Sequence, residues 1–307
     1  MKTALIFTGG TIGSTVKSDG YISPDFRGKR ELLKDYNEAD FDIFEPYTIL
    51  SENLDFEKVM MLLKCIEENL HNHDGIIVLH GTDTLQYAAS AAAYAFGLDT
   101  IPIMFVSSNY VLSDSRANGM INFSCALNFI RHNHGRGTFI SYKNADEYPK
   151  IHRAARVLPY TPYSDAITSL GGEYGRYENG TFVKNTDYVK NPDEISPFGV
   201  MDLNGTKILK LSAYPEMEIG TDADAVLIET YHSGTVAEAA LMNTDARVFL
   251  LGVEDRIQYA SVKAYNKENV TVLKRAAAPA MYMKLKMAAA AGRLGDMNKS
   301  LGGDFME

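Results

Sequence analysis

Thr8-Gly9-Gly10-Thr11-Ile12-Gly13 follows the apolar run Ala4-Leu5-Ile6-Phe7, and His80-Gly81-Thr82-Asp83-Thr84 follows Ile76-Ile77-Val78-Leu79. A hydroxyl at the end of a buried strand, flanked by glycines that let a substrate approach the backbone, is a candidate nucleophile. Threonine needs a base to take its proton and donors to stabilise the charge that develops. Asp83 could polarise a base or a water, or bind a substrate ammonium. Helix N-termini after both strands would offer N–H groups to an oxyanion. This chemistry suits acyl transfer or amide hydrolysis without a metal. The competing reading makes Thr11 and Thr82 mere turn and capping residues. Two such turns in one chain, one of them with Asp83, favour a single site built from both.

Other chemistries fit less well. Thr8–Thr15 lacks the Gly-Lys-Ser/Thr ending of a phosphate loop and the glycine spacing of a dinucleotide fingerprint. His71 and His73 fall near a helix end, where solvated polar residues are usual, and with His80 they lack a matching ligand set for a metal. His132 and His134 read as loop residues. Tyr21, in Asp19-Gly20-Tyr21 just beyond the first turn, is placed to close over it as a lid.

The elements that must position these residues alternate strand and helix, the pattern of a parallel sheet with crossovers. Strands are expected at Thr3–Thr8, Asp42–Leu50, Gly75–Leu79 and Ile101–Val106. Val59, Leu62, Leu63 and Ile66 stand at helical spacing within Phe56–Asn69. Asp83–Phe96, rich in alanine and followed by Gly97, is a second helix, and Ser113–Ile130 a third. Glycines, tyrosines and short strand-like runs (Phe139–Tyr142, Thr181–Val183) then suggest a β-hairpin bridging to a second unit. Alternation resumes with strands at Lys207–Leu211, Ala225–Glu229, Arg247–Gly252 and Val270–Leu273 and a helix at Pro279–Ala291. Tyr231-His232-Ser233-Gly234-Thr235, after one of these strands, echoes the first half. The expected class is α/β, with a larger N-terminal parallel-sheet sandwich domain over 1–190, a linker over 191–206 and a smaller C-terminal α/β domain over 207–307. The boundary lies between about 185 and 206.

The 307 residues exceed the usual range of one growing core. With 30 Lys plus Arg against 39 Asp plus Glu, the formal charge is −9, which argues against nucleic acid or an anionic membrane as the main partner. The two cysteines, Cys65 and Cys125, are too few for a zinc site or a disulfide framework and read as buried thiols in a reducing compartment. Met1-Lys2-Thr3 leads into the first strand without signal-peptide architecture, and no apolar run approaches the ~20 residues of a membrane span. A cytoplasmic location is expected.

On these motifs the chain resembles the bacterial-type L-asparaginases, within them the short cytoplasmic branch. The two threonine turns resemble the family's two signatures, and Gly20-Tyr21 stands at the lid tyrosine. Ser51-Glu52-Asn53-Leu54 resembles the substrate-carboxylate loop. Ser113-Asp114 through Asn122 and Ala126-Leu127, and Asp165-Ala166-Ile167-Thr168-Ser169, resemble two further stretches. The resemblance implies hydrolysis of L-asparagine to L-aspartate and ammonia, with Thr11 as nucleophile and Tyr21 as its activating partner. Thr82 and Asp83 would belong to a second triad and contact substrate or a water. Ser51 and Glu52 would bind the α-carboxylate and α-ammonium groups. No cofactor or metal is implied, and the expected assembly is a homodimer or homotetramer.

One departure bears on activity. The lysine that completes the family's second triad would, counted back from Asp165 without gaps, fall on Leu158, and the nearest cations are Lys150, Arg153 and Arg156. Arginine stays protonated and does not easily act as a base. Leu50 and Glu52 also depart from the small or polar residues usual in the carboxylate loop. Two alternatives therefore stand beside asparaginase: an amidohydrolase for another small amide (glutamine or related), and a catalytically weakened paralogue that binds an amino acid.

Overall fold

The computed structural model describes residues 2–220, 222–253 and 259–306; Met1 and Glu307, included in the domain limits expected above, lie outside them. The first half builds β1 (Thr3–Phe7), β2 (Ser14–Val16), β3 (Ile22–Pro24), α1 (Phe26–Leu33), β4 (Phe41–Phe44), α2 (Phe56–Asn69), β5 (Gly75–Leu79), α3 (Leu85–Phe96), β6 (Ile103–Val106), α4 (Gly119–Arg131) and β7 (Thr138–Tyr142). β8 (Lys150–Arg153), β9 (Gly175–Glu178) and β10 (Thr181–Lys184) follow. The second half adds β11 (Ile208–Ser212), β12 (Ala225–Glu229), α5 (Glu238–Met242), β13 (Arg247–Leu251), β14 (Val270–Val272) and α6 (Ala278–Ala290).

Among the described residues one sheet runs β10-β9-β8-β7-β6-β5-β1-β4 and a second runs β11-β12-β13-β14. In the large sheet, β4 to β7 pair in parallel through β1, β5 and β6, whereas β8, β9 and β10 attach antiparallel. The small sheet is parallel throughout. The runs Phe139–Tyr142 and Thr181–Val183, expected as a hairpin leading to a second unit, instead both extend the large sheet.

The central strands are buried on both faces, so they read as unbroken apolar runs. Alternation splits their side chains. Ala4, Ile6, Ile76, Val78, Ile103 and Phe105 pack with α2, α3 and α6. Leu5, Phe7, Ile77, Leu79, Met104 and Val106 pack with α4 and with Leu32 and Leu33 of α1. Leu227 and Phe249 of the small sheet join the first of these cores, so α3 and α6 form a layer shared by both sheets. The alanines along α3 let α6 lie close against it.

Two elements are shorter than the sequence suggests. The strand expected over Asp42–Leu50 leaves the ladder after Phe44, and Pro46, lacking an N–H, follows at once. Ile49 rejoins through a single bridge to Gly9. The helix expected from Ser113 begins at Gly119, where the Ser108 hydroxyl accepts the Gly119 N–H and Asn109 and Asn118 exchange backbone-to-side-chain bonds. No described helix is long and apolar enough to cross a membrane.

Candidate active site

β1 and β5 are neighbours in register, with Ile6 opposite Val78 and Phe7 opposite Leu79. Parallel pairing puts both carboxyl ends, and so both threonine turns, on one edge of the sheet, where ligands bind in open α/β folds. The Thr8 N–H donates to the Leu79 carbonyl at 3.1 Å and its hydroxyl to the same oxygen at 2.8 Å. Thr8 is therefore a stitch between the strands, and its hydroxyl is occupied.

Beyond it the backbone turns through Gly9 and Gly10, with φ of 101° and 70°. A Cβ on Gly10 would lie 2.3 Å from both Cα and N of Gly81, so the two turns are in backbone contact. Thr11 opens a single 3-10 turn, Thr11–Gly13, and is half-buried. Here the expectation of a helix N-terminus after each strand needs correcting. The first strand is followed by that short turn and the β2–β3 hairpin, because Ser14 starts a strand pairing with Pro24. A full helix follows only the second strand: the Leu85 N–H donates to the Thr82 carbonyl, and α3 starts at Leu85 rather than Asp83.

A third segment closes the edge. The Gly10 N–H donates to Ile49 O at 2.9 Å, which leads the chain into the 3-10 turn Ser51–Asn53. Ser51 is buried; its hydroxyl donates to Asp83 Oδ2 at 2.8 Å and accepts the Asp83 N–H at 3.2 Å. The Thr84 hydroxyl donates to the Ser51 carbonyl at 2.9 Å. Gly81 is needed against this serine, since a Cβ there would come 2.4 Å from Ser51 Oγ. Thr11, Ser51, Thr82 and Asp83 are thus carried by three loops in mutual contact. Glu52 is exposed on the Ser51 turn.

Tyr21 stands outside that network. It is 75% exposed at the end of the β2–β3 hairpin, its N–H on Asp19 and its carbonyl on the Lys17 N–H. Its tether is the hairpin that grows from the first turn.

His80 sits under the second turn, fully buried. Its Nδ1 pairs with the Gly81 carbonyl at 2.8 Å, and burial pushes its pKa down to about 4, so it is neutral near pH 7. His73 corrects the solvated reading given to it: its side chain is 3% exposed and bridges Asp42 and the Asn69 carbonyl. Asn122 on α4, one of the family-like residues, donates to Ser107 O and accepts from the Lys143 N–H, which braces the loops after β6 and β7. Sequence reading missed Asn118, which braces the same loops through Asn109 and Lys143.

The cations near the lysine position are engaged elsewhere. Lys150 binds Glu147 at 2.8 Å. Arg153 donates to Arg136 O and lies over the Phe139 ring. Arg156 is fully buried and donates to the carbonyls of Gly303 and Phe305 at 2.7 and 2.6 Å, which anchors the C-terminal segment. Leu158 lines a cavity of about 530 Å³ together with Thr230, His232 and Arg275 at the carboxyl ends of β12 and β13. Among the described residues there is no cluster of histidine, cysteine and acidic side chains suited to a metal.

The sequence profile described as "Asparaginase, N-terminal" matches residues 2–174, more than half of the chain. The chain belongs to the asparaginase family. The thermostable L-asparaginase of Thermococcus kodakarensis shares this asparaginase fold, with a TM-score of 0.80 at 17% identity over 100% of both chains. In sequence, the chain is 31% identical over 213 residues to the D subunit of the glutamyl-tRNA(Gln) amidotransferase of Methanosarcina acetivorans, covering 64% of this chain and 49% of that one. It is 33% identical over 128 residues to L-asparaginase 1 of Escherichia coli K12, covering 39% and 38%. The chain spans about half the length, or less, of these curated relatives.

Proposed function

We propose that this asparaginase-family amidohydrolase acts on small amides, with L-asparagine as substrate and L-aspartate and ammonia as products. The observation that carries the reading is the contact of Gly10 with Gly81, bridged by the Ser51–Asp83 bond, which brings the two threonine turns together. Thr11 Oγ attacks the side-chain amide carbon while Tyr21, swung in on its hairpin, assists removal of the hydroxyl proton. The C–N bond breaks, the nitrogen takes that proton and leaves as ammonia, and water then cleaves the ester on Thr11. Thr82 and Asp83 position the water or the substrate, and Asp83, Ser51 and Glu52 hold the α-ammonium and α-carboxylate groups. The proposal includes a homodimer or homotetramer in the cytoplasm. Of the two cysteines expected to be buried, Cys125 is buried and Cys65 only half-buried; both are unpaired, with thiols pushed up to about 12 and about 11 by desolvation, in keeping with a reducing compartment.

The test is ammonia release from L-asparagine by the purified chain, abolished in Thr11→Ala. If asparagine is inert while glutamine or other amides are cleaved, the substrate assignment is wrong and the reaction class stands. Binding of aspartate without turnover of any amide would leave only an amino-acid-binding protein. A second reading is favoured by the likeness to the glutamyl-tRNA(Gln) amidotransferase component: the same hydrolysis feeding ammonia to a partner protein. It predicts weak amide cleavage by the isolated chain.

A further inference from the structure

The side chain of His80 spends its one hydrogen bond among the described residues on the backbone of the turn it precedes. It is 1% exposed, and Nδ1 lies 2.8 Å from the carbonyl oxygen of Gly81, the next residue. A carbonyl only accepts, so Nδ1 carries the proton and donates, and in the neutral ring Nε2 is a bare acceptor. Nε2 has no partner among the described residues. Ring centroids 6.4 Å apart put the imidazole beside Phe105, on the face of the sheet that packs with α3. Burying an imidazole with one nitrogen unsatisfied costs free energy that an apolar side chain would avoid. The bond to Gly81 is the feature that an apolar side chain could not supply.

That bond fixes a peptide plane. No described peptide bond is cis, so the carbonyl of Gly81 and the N–H of Thr82 point in opposite directions. With the carbonyl drawn onto the buried ring, the Thr82 N–H is turned out of the buried layer, and Thr82 itself is half-buried. The far side of Thr82 is held as well, because the Asp83 N–H donates to Ser51 Oγ at 3.2 Å. Thr82 is thus clamped before and after, while its own N–H donates to no acceptor among the described residues. A backbone N–H oriented in advance and left free is what a developing oxyanion requires.

We propose that His80 is a positioning residue of the second threonine turn: through Gly81 it holds the Thr82 N–H as a donor to the substrate carbonyl oxygen while charge builds there. The inference rests on the amide-hydrolase reading of the same turns. His80 transfers no proton and touches no reacting atom. It acts through one carbonyl.

The experiment compares His80→Asn with His80→Leu. The two replacements have nearly the same size and shape, but only the asparagine amide can donate to the Gly81 carbonyl from the place of Nδ1. In His80→Leu, kcat for ammonia release from L-asparagine is expected to fall roughly 10- to 100-fold, less than the loss of a whole oxyanion donor. KM stays within about twofold, because the lost alignment matters only once charge develops. His80→Asn is expected to hold kcat within about threefold of the parent. Two variants at parental kcat overturn the proposal, since the bond is then idle. Two equally slow variants also overturn it, since the ring then matters for its bulk. Where His80→Leu melts below the assay temperature, His80→Asn decides alone, and a loss beyond about tenfold overturns the proposal. A second arm needs no turnover. In protein labelled with ¹⁵N-histidine, the His80 ring signals, assigned by their absence in His80→Asn, are expected to show a protonated Nδ1 and a bare Nε2 at pH 7. A proton on Nε2 overturns the proposal. A chain that cleaves no amide refutes the functional reading, while the ring signals still decide whether His80 clamps the turn.

Discussion

A methyl group on Gly10 would separate the two threonine turns, and the structure sets the size of the effect. The added carbon would lie 2.3 Å from Cα and N of Gly81, whereas ordinary contact begins near 3.4 Å, so the backbones must part by about 1 Å. Gly10 also has φ of 70°, where an L side chain is strained by about 1 kcal/mol. Overpacking of this kind adds roughly 1–3 kcal/mol. Gly10→Ala is therefore expected to lose about 2–4 kcal/mol in urea unfolding. A displacement of ~1 Å between reacting groups costs on the order of 100-fold in rate, so ammonia release falls by about that factor. The control is Gly180→Ala in the β9–β10 turn, with φ of 81° and no atom within 4 Å of the added carbon. It carries the backbone strain alone: about 1 kcal/mol lost, activity intact. If Gly10→Ala matches this control in both assays, the two turns are not in contact and the composite site is refuted.

Three further outcomes follow from buried groups. His80 and His152 are fully buried, and desolvation pushes them to about 4 and about 3. Both are neutral when folded but protonate near pH 6.5 when unfolded, so stability is complete above pH 6.5 and lost as pH falls toward those values. The two together are expected to remove about 5 kcal/mol between pH 6.5 and 4.5; urea midpoints that stay flat over that range would contradict the burial of both rings. Asp304 and Lys284 pair at 2.7 Å with neither side chain exposed. Asp304→Ala strands the ammonium and should cost about 3–5 kcal/mol, and adding Lys284→Met should recover most of it in the same thermal unfolding assay. Replacing Arg156 by Met removes its two charge-assisted bonds to the C-terminal carbonyls. Proteolysis near residues 300–306 should then quicken while the parent resists; unchanged cleavage would mean the segment is held without it.

Much of this molecule was legible in its residues. Unbroken apolar runs announced β1 and β5, a 3.6-residue apolar spacing announced α2, and an alanine-rich run closed by Gly97 announced α3, because burial on both faces or on one stripe imposes those patterns. Glycines beside threonines at the ends of β1 and β5 marked the edge at which the two turns meet, and the signature motifs pointed to the family that the profile match then showed. Tertiary structure decided the rest. Pro46 shortened β4, and the exchange between Asn109 and Asn118 delayed α4 to Gly119. His73 was drawn out of water by Asp42. Arg156, near the expected lysine in sequence, was spent on the C-terminal carbonyls. A linear pattern records which face of an element is apolar. It carries no record of which distant backbone or carboxylate will satisfy a polar group once that face is buried, because such partners are chosen only when the chain closes on itself.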